Sequence, residues 1–473
     1  MLKKGLKLLI SIVVPLIILL IPREWMPIEG ITVIEHRLIA IFLMAALLWV
    51  LEPIPIYSVS ILVMVMLLFF LSDQSLSFLR AEQEAPHFGE LLPYEEIMGV
   101  FASPIILLFL GGFFLARAVS KIDMDINLAN VMLKPFGSKP ENILLGIMCI
   151  TALFSMFMSN TATVAMMITI LMPFVSTFRR QKENGIAFGM GLAFAANIGG
   201  IGTIIGTPPN AIGVSYLTGD DVIGYGEWMF FAVPFVIVML LFLWFLIIKT
   251  YPVKYEKVEV RLGGNFRKDW KAVLVYVTFG FTILLWLTDF LHGMNAYVVA
   301  MVPIAVFSVT SVVDRDDMRR MRWDILWLMA GGLALGMAIA ETGLSESVVE
   351  ALPIEHYAPL LVIVIAAIIP LLLSNFISNT ATANLIIPIM VAMGTSIPGL
   401  VEVGGMRFIV LITTFACSLA MAMPMSTPPN ALAHGSGLVS SKPMMKMGVV
   451  VGIVGFVVAF GYLYLLTSVL EVL

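Results

Sequence analysis

A short polar motif occurs twice in this chain, each time in the middle of a long apolar stretch. Residues 155–163 read Ser-Met-Phe-Met-Ser-Asn-Thr-Ala-Thr and residues 374–382 read Ser-Asn-Phe-Ile-Ser-Asn-Thr-Ala-Thr, so seven of nine positions are identical. A second matched pair follows, with Gly-Thr-Pro-Pro-Asn at 206–210 and Ser-Thr-Pro-Pro-Asn at 426–430. Polar and helix-breaking residues are costly in hydrocarbon. Two matched pairs at mid-membrane depth therefore indicate a binding site between two internal repeats.

The composition is that of a polytopic helical membrane protein. Of 473 residues, 60% are apolar and 12% are charged, whereas soluble domains carry about 25% charged residues. Apolar runs of about 18 residues or more recur along the whole chain, and each is long enough to span a bilayer as a helix. The formal charge of −4 gives no indication of a nucleic-acid partner.

Two uncharged stretches, 142–178 and 358–397, carry the Ser-Asn-Thr motifs near their centres. Each is too long for one span, so we interpret each as a re-entrant helical hairpin. Broken helices at membrane depth are tolerated only where they are buried in protein or line a cavity. The stretches 184–219 and 408–438 contain the Thr-Pro-Pro-Asn motifs, and we interpret them as broken spans because proline removes an amide donor.

The distribution of basic residues predicts the topology. Together with the two broken spans, nine further spans give a total of eleven. With the N-terminus in the cytoplasm and the C-terminus outside, 23 of the 27 Lys and Arg residues are cytoplasmic, as the positive-inside rule requires. The exceptions are Arg23, Arg37, Arg80 and Arg407. The nine spans are 6–22, 38–56, 57–72, 97–116, 228–248, 272–288, 296–313, 325–341 and about 447–469.

The two halves repeat with a nearly constant offset. The spacing from Ser159 to Ser378 is 219 residues and that from Thr207 to Thr427 is 220. An odd number of crossings separates equivalent elements, so the repeats have inverted topology. The predicted division is scaffold spans 1–96, transport elements 97–227, scaffold spans 228–323, transport elements 324–446 and a C-terminal span 447–473.

The motif residues are neutral, and their chemistry suits two kinds of ligand. Hydroxyl and carbonyl oxygens suit a hard cation such as sodium, whereas amide and hydroxyl donors suit a carboxylate. One alternative is that the motifs only provide hydrogen bonds between helices, but two inverted copies favour a site. His434 follows the second Thr-Pro-Pro-Asn motif, and it could act as a proton sensor or merely pack or line a cavity.

At these residues the chain resembles the divalent anion:sodium symporter family of INDY-type di- and tricarboxylate transporters. The resemblance covers nearly the whole chain. It implies a homodimer in the lipid bilayer, a fixed scaffold and an elevator-type transport domain. The implied function is sodium-coupled symport of C4-dicarboxylates such as succinate, malate and fumarate. No organic cofactor is expected, and the expected location is the bacterial cytoplasmic (inner) membrane.

The resemblance also implies the site residues. The first sodium ion would bind Ser155, Ser159, Asn160 and the backbone of Gly206, and the second would bind Ser374, Asn379 and backbone oxygens of Ile377 and Ser426. The substrate carboxylates would contact Asn160, Thr161, Asn379 and Thr380, with Thr207, Pro208, Thr427 and Pro428 on the opposite side.

Other functions remain open at this stage. A sodium-independent dicarboxylate exchanger on the same fold is the nearest alternative, and a passive channel is a more distant one. An intramembrane enzyme is disfavoured because the predicted spans contain no aspartate and the chain lacks His-Glu-x-x-His and Gly-x-Ser-x-Gly motifs.

The predicted topology can be tested with single cysteines. A cysteine replacing Asn265 should react with an impermeant thiol reagent only from the cytoplasmic side, and one replacing Ser347 only from outside, because an odd number of crossings separates them. Labelling of both positions from the same face would contradict the inverted-repeat arrangement.

Overall fold

The computed structural model describes residues 4–81, 83–178, 182–253, 265–351, 358–396 and 403–470. These residues are mainly helical, and one isolated backbone bridge joins Ser72 to Leu92. The predicted all-helical fold is therefore confirmed. Several residues used in the predictions lie outside the described ranges. They are the basic residues Lys3, Arg179, Arg180, Lys254, Lys257 and Arg261, residue 397 at the end of the second hairpin, and residues 471–473 of the C-terminal span.

The helices of the first half follow the predicted spans to within a few residues at most ends. They are α1 (Lys4–Leu20), α2 (Val33–Leu51), α3 (Ile56–Phe70), α4 (Tyr94–Gly99), α5 (Pro104–Lys121), α6 (Met124–Leu133), α7 (Pro140–Phe157), α8 (Asn160–Phe178), α9 (Lys182–Gly200), α10 (Pro208–Ser215) and α11 (Tyr225–Thr250).

The second half repeats this order. Its helices are α12 (Trp270–Leu287), α13 (Asp289–His292), α14 (Ala296–Val299), α15 (Met301–Val309), α16 (Arg315–Arg319), α17 (Trp323–Glu341), α18 (Leu344–Glu350), α19 (Pro359–Leu373), α20 (Asn379–Ser396), α21 (Gly405–Leu419), α22 (Pro428–Gly435) and α23 (Ser441–Tyr464).

Within the described ranges, seven helical segments are long and apolar enough to cross a membrane. They are Val33–Leu51, Tyr94–Lys121, Pro140–Phe157, Tyr225–Thr250, Trp270–Leu287, Trp323–Glu341 and Ser441–Val469. Six shorter apolar helices accompany them. Three of the six belong to the hairpins, and one is the longer helix of the second broken span. The total of eleven spans and the orientation of the termini stay predictions.

Both hairpins and both broken spans are present. The first hairpin turns at residues 158–159 between α7 and α8, and the second turns at residues 374–378 between α19 and α20. The broken spans unwind at 201–207 and 420–427. The break was expected at the prolines, but Pro208 and Pro428 instead begin the second helix of each pair. Proline is well tolerated at this position because the first amide of a helix has no partner within the helix.

Four short helices, α6, α13, α16 and α18, occupy segments for which the sequence predicted no secondary structure, and two of them connect to the hairpins. α6 leads from α5 into the first hairpin, and α18 leads from α17 into the second. α6 packs on α7 and α18 packs on α20. Their apolar stripes are too short to be recognised from sequence periodicity alone.

The two halves pack in a reciprocal manner. α3 packs along α17 while its counterpart α15 packs on α5, and α9 packs on α22 while its counterpart α21 packs on α10. A twofold relation between inverted repeats produces this exchange of partners. The glycine pairs serve the packing, because a Cβ atom on Gly111 would lie 2.6 Å from the carbonyl oxygen of Ala300 and one on Gly331 would lie 2.5 Å from Cα of Ser60.

A cluster of charges joins the two halves at one end of α5. Asp317 is only 4% exposed, and its carboxylate lies 2.6 Å from Nη2 of Arg117 and 2.5 Å from Nζ of Lys121. Lys121 also binds Asp314 at 2.6 Å, and this hydrogen bond holds the pKa of Asp314 well below its usual value. A buried carboxylate that is shared by two cations fixes α5 against α16.

We expect Asp317→Ala to lower the free energy of unfolding by about 1–3 kcal/mol, because Arg117 and Lys121 lose their shared buried partner. The matched control is Asp316→Ala on the same helix, where the carboxylate is 75% exposed and pairs only with Arg319 among the described residues. Thermal unfolding in detergent would measure both effects. Equal melting temperatures for the two variants would contradict this role of Asp317.

Candidate functional site

A cavity of about 210 Å³ lies where both hairpin tips and both unwound loops meet. Eleven of the fourteen residues predicted from the sequence line this cavity. They are Ser159, Asn160, Thr161, Gly206, Thr207, Pro208, Asn379, Thr380, Ser426, Thr427 and Pro428. The remaining three, Ser155, Ser374 and Ile377, are buried and do not line it.

The hairpin tips present two helix N-termini to the cavity. The hydroxyl of Ser159 accepts a hydrogen bond from the amide of Ala162 at 3.2 Å, and Ser378 accepts one from Ala381 at the same distance. Each serine thus satisfies one of the amides that a helix leaves free at its start. The remaining free amides and the helix dipoles favour an anion at both tips.

Oxygen atoms cluster behind the first tip. The hydroxyl of Ser155 lies within hydrogen-bonding distance of Oδ1 of Asn160 and 2.7 Å from the carbonyl oxygen of Ala196. Two of these oxygens belong to the hairpin and the third belongs to the broken span. A set of neutral oxygens from both elements is suited to a hard monovalent cation.

The equivalent atoms of the second tip are not paired with each other. Among the described residues, Oδ1 of Asn379 and Oγ of Ser418 are buried and have no hydrogen-bond partner. Ser374 is fully buried, and its Oγ has no partner there stronger than the thiol of Cys417, which is a weak hydrogen-bonding group. Unpaired buried oxygens are uncommon in folded proteins, and a cation would satisfy them.

Asn210 holds the first unwound loop, a role that the sequence analysis missed. Its side-chain amide donates to three backbone carbonyls, at 3.0 Å to Gly200, 3.3 Å to Ile201 and 2.7 Å to Thr203. These carbonyls lose their helical partners where the span unwinds. The available signal was the asparagine that ends both Thr-Pro-Pro-Asn motifs.

Asn430 has the same role in the second loop. Its amide donates to the carbonyls of Met421 at 2.7 Å and Met423 at 3.0 Å. Its Oδ1 also accepts a hydrogen bond from Nδ2 of Asn197 at 3.1 Å. The residue equivalent to Asn197 in the second repeat is Cys417, and Oδ1 of Asn210 has no partner in the described part of the chain. The two loops therefore share the contacts of their asparagine with backbone carbonyls, but only in the second does the asparagine also accept a hydrogen bond, among the described residues.

Glycine permits the first loop to pass close to the first tip. A Cβ atom on Gly200 would lie 2.9 Å from the side-chain amide of Asn160, and one on Gly206 would lie 2.4 Å from the carbonyl oxygen of Gly200. Any larger residue at either position would push the loop away from the tip.

One ion pair lines the cavity and was not predicted. Arg322 and Asp324, at the start of α17, are joined by a hydrogen bond of 2.8 Å from Nη2 to Oδ2 and another of 2.9 Å from Nε to Oδ1. Their charges compensate, so the pair adds no net charge. His434 does not line the cavity; it is exposed, and its Nδ1 lies 2.9 Å from the carbonyl oxygen of Val439.

Comparison with known proteins gives consistent similarities. Residues 46–409 match the sequence model of a family described as "Citrate transporter". The chain is 29% identical to the sodium-dependent dicarboxylate transporter SdcS of Staphylococcus saprophyticus, covering 90% of this chain and 85% of that protein. It is also 29% identical to the sodium-dependent high-affinity dicarboxylate transporter 3 of Caenorhabditis elegans, covering 73% and 71%.

Solved structures show a similar fold. The YdaH transporter of Alcanivorax borkumensis superposes with a TM-score of 0.51 at 14% identity, covering 87% of this chain and 98% of that one. MtrF of Neisseria gonorrhoeae gives the same TM-score at 12% identity, covering 87% and 95%. At this level of identity the likeness concerns the fold alone.

We expect Asn430→Ala to lower the free energy of unfolding by about 1–3 kcal/mol, because it leaves buried carbonyls and Asn197 without a partner. The control is Ser436→Ala, which follows the same short helix and removes only two local bonds, one to the carbonyl of Ala433 and a long one from the amide of Leu438; its effect should stay within about 0.5 kcal/mol. Thermal unfolding would compare them. Indistinguishable melting temperatures would mean that Asn430 does not hold the loop.

Proposed function

Because the chain belongs to the citrate transporter family, and is thus a transporter rather than an enzyme, we propose that it carries C4-dicarboxylates together with sodium. Membership of this family, together with the two dicarboxylate transporters that the chain is similar to, confirms the resemblance to di- and tricarboxylate transporters noted in the sequence. Succinate, malate and fumarate are the substrates we expect. The observation that carries the proposal is the convergence of four helix breaks, two from each repeat, on one cavity.

The polar groups around the cavity suit a small dicarboxylate. One carboxylate would bind at each hairpin tip, where Asn160 and Thr161 on one side and Asn379 and Thr380 on the other begin helices. Free amides at helix N-termini favour anions. The unwound loops close the opposite side of the site with Thr207, Pro208, Thr427 and Pro428.

The charge of the substrate requires compensation. The segments 142–178, 184–219, 358–397 and 408–438 contain no Lys or Arg, and Arg322 is already paired with Asp324. Each helix dipole contributes only about 0.3–2 kcal/mol, while burying an unpaired charge costs several kcal/mol. Bound cations would supply the compensation that the protein lacks.

Two sodium ions, one in each repeat, meet this requirement. The first would be held by Ser155, Ser159, Asn160 and the backbone of Gly206, and its support is the cluster of oxygens around Ser155. The second would be held by Ser374, Asn379 and backbone oxygens of Ile377 and Ser426. Its support is that Oγ of Ser374 and Oδ1 of Asn379 are buried without a strong hydrogen-bond partner among the described residues.

The transport step we propose is an elevator-type movement. Spans 1–96 and 228–323 would form the scaffold, and elements 97–227 and 324–446 would carry the site, with 447–473 as the last span. α5 and α17 pack on the scaffold helices α15 and α3, so they lie at the border between the two bodies. The cavity reaches Arg322 and Asp324, which the predicted topology puts in the cytoplasm, so it would face inward here.

The assembly and location follow the same proposal. We propose a homodimer in the bacterial cytoplasmic membrane with the N-terminus inside and the C-terminus outside. Three basic residues lie just before α17, namely Arg319, Arg320 and Arg322. They support this orientation by the positive-inside rule.

Uptake into proteoliposomes tests the function. Labelled succinate should accumulate when an inward sodium gradient is imposed and should not accumulate when choline replaces sodium. A sodium-independent exchanger would instead require a dicarboxylate inside the vesicles and would ignore the sodium gradient. That result would replace symport by exchange. Equilibration of succinate without a sodium gradient and without internal dicarboxylate would indicate a channel.

Ser374→Ala gives a test of the second sodium site that separates binding from stability. Removing a buried hydroxyl that lacks a strong partner should leave the melting temperature in sodium-free buffer unchanged or slightly higher. A ligand that binds only the folded state raises the melting temperature, so sodium should stabilise the unmodified protein. In Ser374→Ala the rise in melting temperature on adding sodium should be smaller, and the affinity for succinate should be lower.

The matched variant is Ser155→Ala, which also removes a hydrogen bond to Ala196. It should lower the melting temperature even without sodium, because that bond is part of the fold. A sodium-dependent rise in Ser374→Ala equal to that of the unmodified protein would exclude Ser374 as a ligand.

A further inference from the structure

A second and larger cavity, of about 870 Å³, lies between the start of α11 and the turn that joins α12 to α14. We call it the lateral cleft. Its walls are mainly apolar and include Phe230, Val233, Leu287, Phe290 and Met294. Asp289, Asn295 and Tyr297 provide polar groups on the same walls.

The lateral cleft is open to the outside of the helix bundle. Phe230 is 70% exposed and Phe290 is 77% exposed, and both line the cleft. α11 and α12 are among the helices long and apolar enough to cross a bilayer, and the cleft lies at the end of α11 that begins at Tyr225. The predicted topology puts this end of α11 at the outer membrane interface, where aromatic side chains are common. A lipid acyl chain can therefore enter the cleft from the side.

Asp289 gives the cleft a negative charge. Its Oδ1 accepts a hydrogen bond from the amide of Phe290 at 2.9 Å, and its Oδ2 accepts one from Gly226 at 3.4 Å. A carboxylate has about four acceptor sites, so capacity remains. Among the described residues no cation pairs with Asp289, whereas the neighbouring Glu227 is paired with Arg407 at 3.4 Å.

We propose that the lateral cleft binds a phospholipid whose headgroup carries a primary amine, as in phosphatidylethanolamine. The acyl chain would lie on the apolar walls and the ammonium group would donate to Asp289. The hydroxyl of Tyr297 and the amide of Asn295 are neutral donors suited to the phosphate. An anionic headgroup fits poorly because no Lys or Arg lines the cleft in the described part of the chain.

The bound lipid would lie close to the substrate cavity. Leu108 and Ile204 line the lateral cleft, while their immediate neighbours Phe109 and Ile205 line the substrate cavity. α5 and the first unwound loop thus lie between the two spaces. If the loop moves as the proposed transport step requires, the cleft must change shape, so the lipid would favour the orientation seen here.

Native mass spectrometry of the full-length protein tests the lipid site directly. The protein is mixed with equal amounts of phosphatidylethanolamine, phosphatidylcholine and phosphatidylglycerol that carry identical acyl chains. We expect about five-fold preferential retention of phosphatidylethanolamine, the ratio that corresponds to ~1 kcal/mol for one charge contact at a membrane surface. Asp289→Asn should reduce the ratio to about one, and the control Asp316→Asn, at an exposed carboxylate, should keep it.

A headgroup series on the unmodified protein avoids any effect of substitution on folding. Retention should fall stepwise from phosphatidylethanolamine through its N-methyl and N,N-dimethyl derivatives to phosphatidylcholine, because each methyl group removes an ammonium hydrogen. A flat series, or an unchanged preference in Asp289→Asn, would overturn the proposal. Neither sodium nor dicarboxylate is added, so the outcome does not depend on whether the proposed transport function is correct.

Discussion

The structure depends on how it satisfies backbone groups where helices end inside the membrane. Four helix breaks leave amides and carbonyls without helical partners, and hydrocarbon provides no water to replace them. Asn210 and Asn430 bind the carbonyls of the unwound loops, and Ser159 and Ser378 bind amides at the hairpin tips. In the proposed site, the backbone and side-chain groups that remain free would bind the ligands.

The reciprocal packing explains why both repeats are needed for one site. Each unwound loop ends in a short helix that packs on the long helix of the opposite broken span. Neither repeat could bury these surfaces alone, since each short helix has its partner in the other half. The cavity forms only where the two halves meet, so its lining is drawn from equivalent positions of both, such as Thr207 and Thr427.

The sequence allowed the main elements to be predicted because their signals are local. Charge-free stretches around Asn160 and Asn379 indicated the hairpins, and the repeated Thr-Pro-Pro-Asn motifs indicated the broken spans. The short helices α6 and α18 were missed because they have too few turns to show a period. The pairing of Arg322 with Asp324 at the cavity depends on how α17 lies against the hairpins, and the carbonyl contacts of Asn210 depend on the path of the loop. Neither the position of α17 nor the path of the loop is marked by a local sequence pattern.

The difference between Asn197 and Cys417 has an energetic consequence. The second unwound loop gains a hydrogen bond from Asn197 to Asn430 that the first loop lacks. In a transporter built from inverted repeats, the change from one orientation to the other exchanges the conformations of the two halves. If the proposed transport step exchanges the two halves in this way, a hydrogen bond made on one side only would give the two orientations different free energies, and their populations would differ accordingly. One orientation would then be favoured even without an ion gradient.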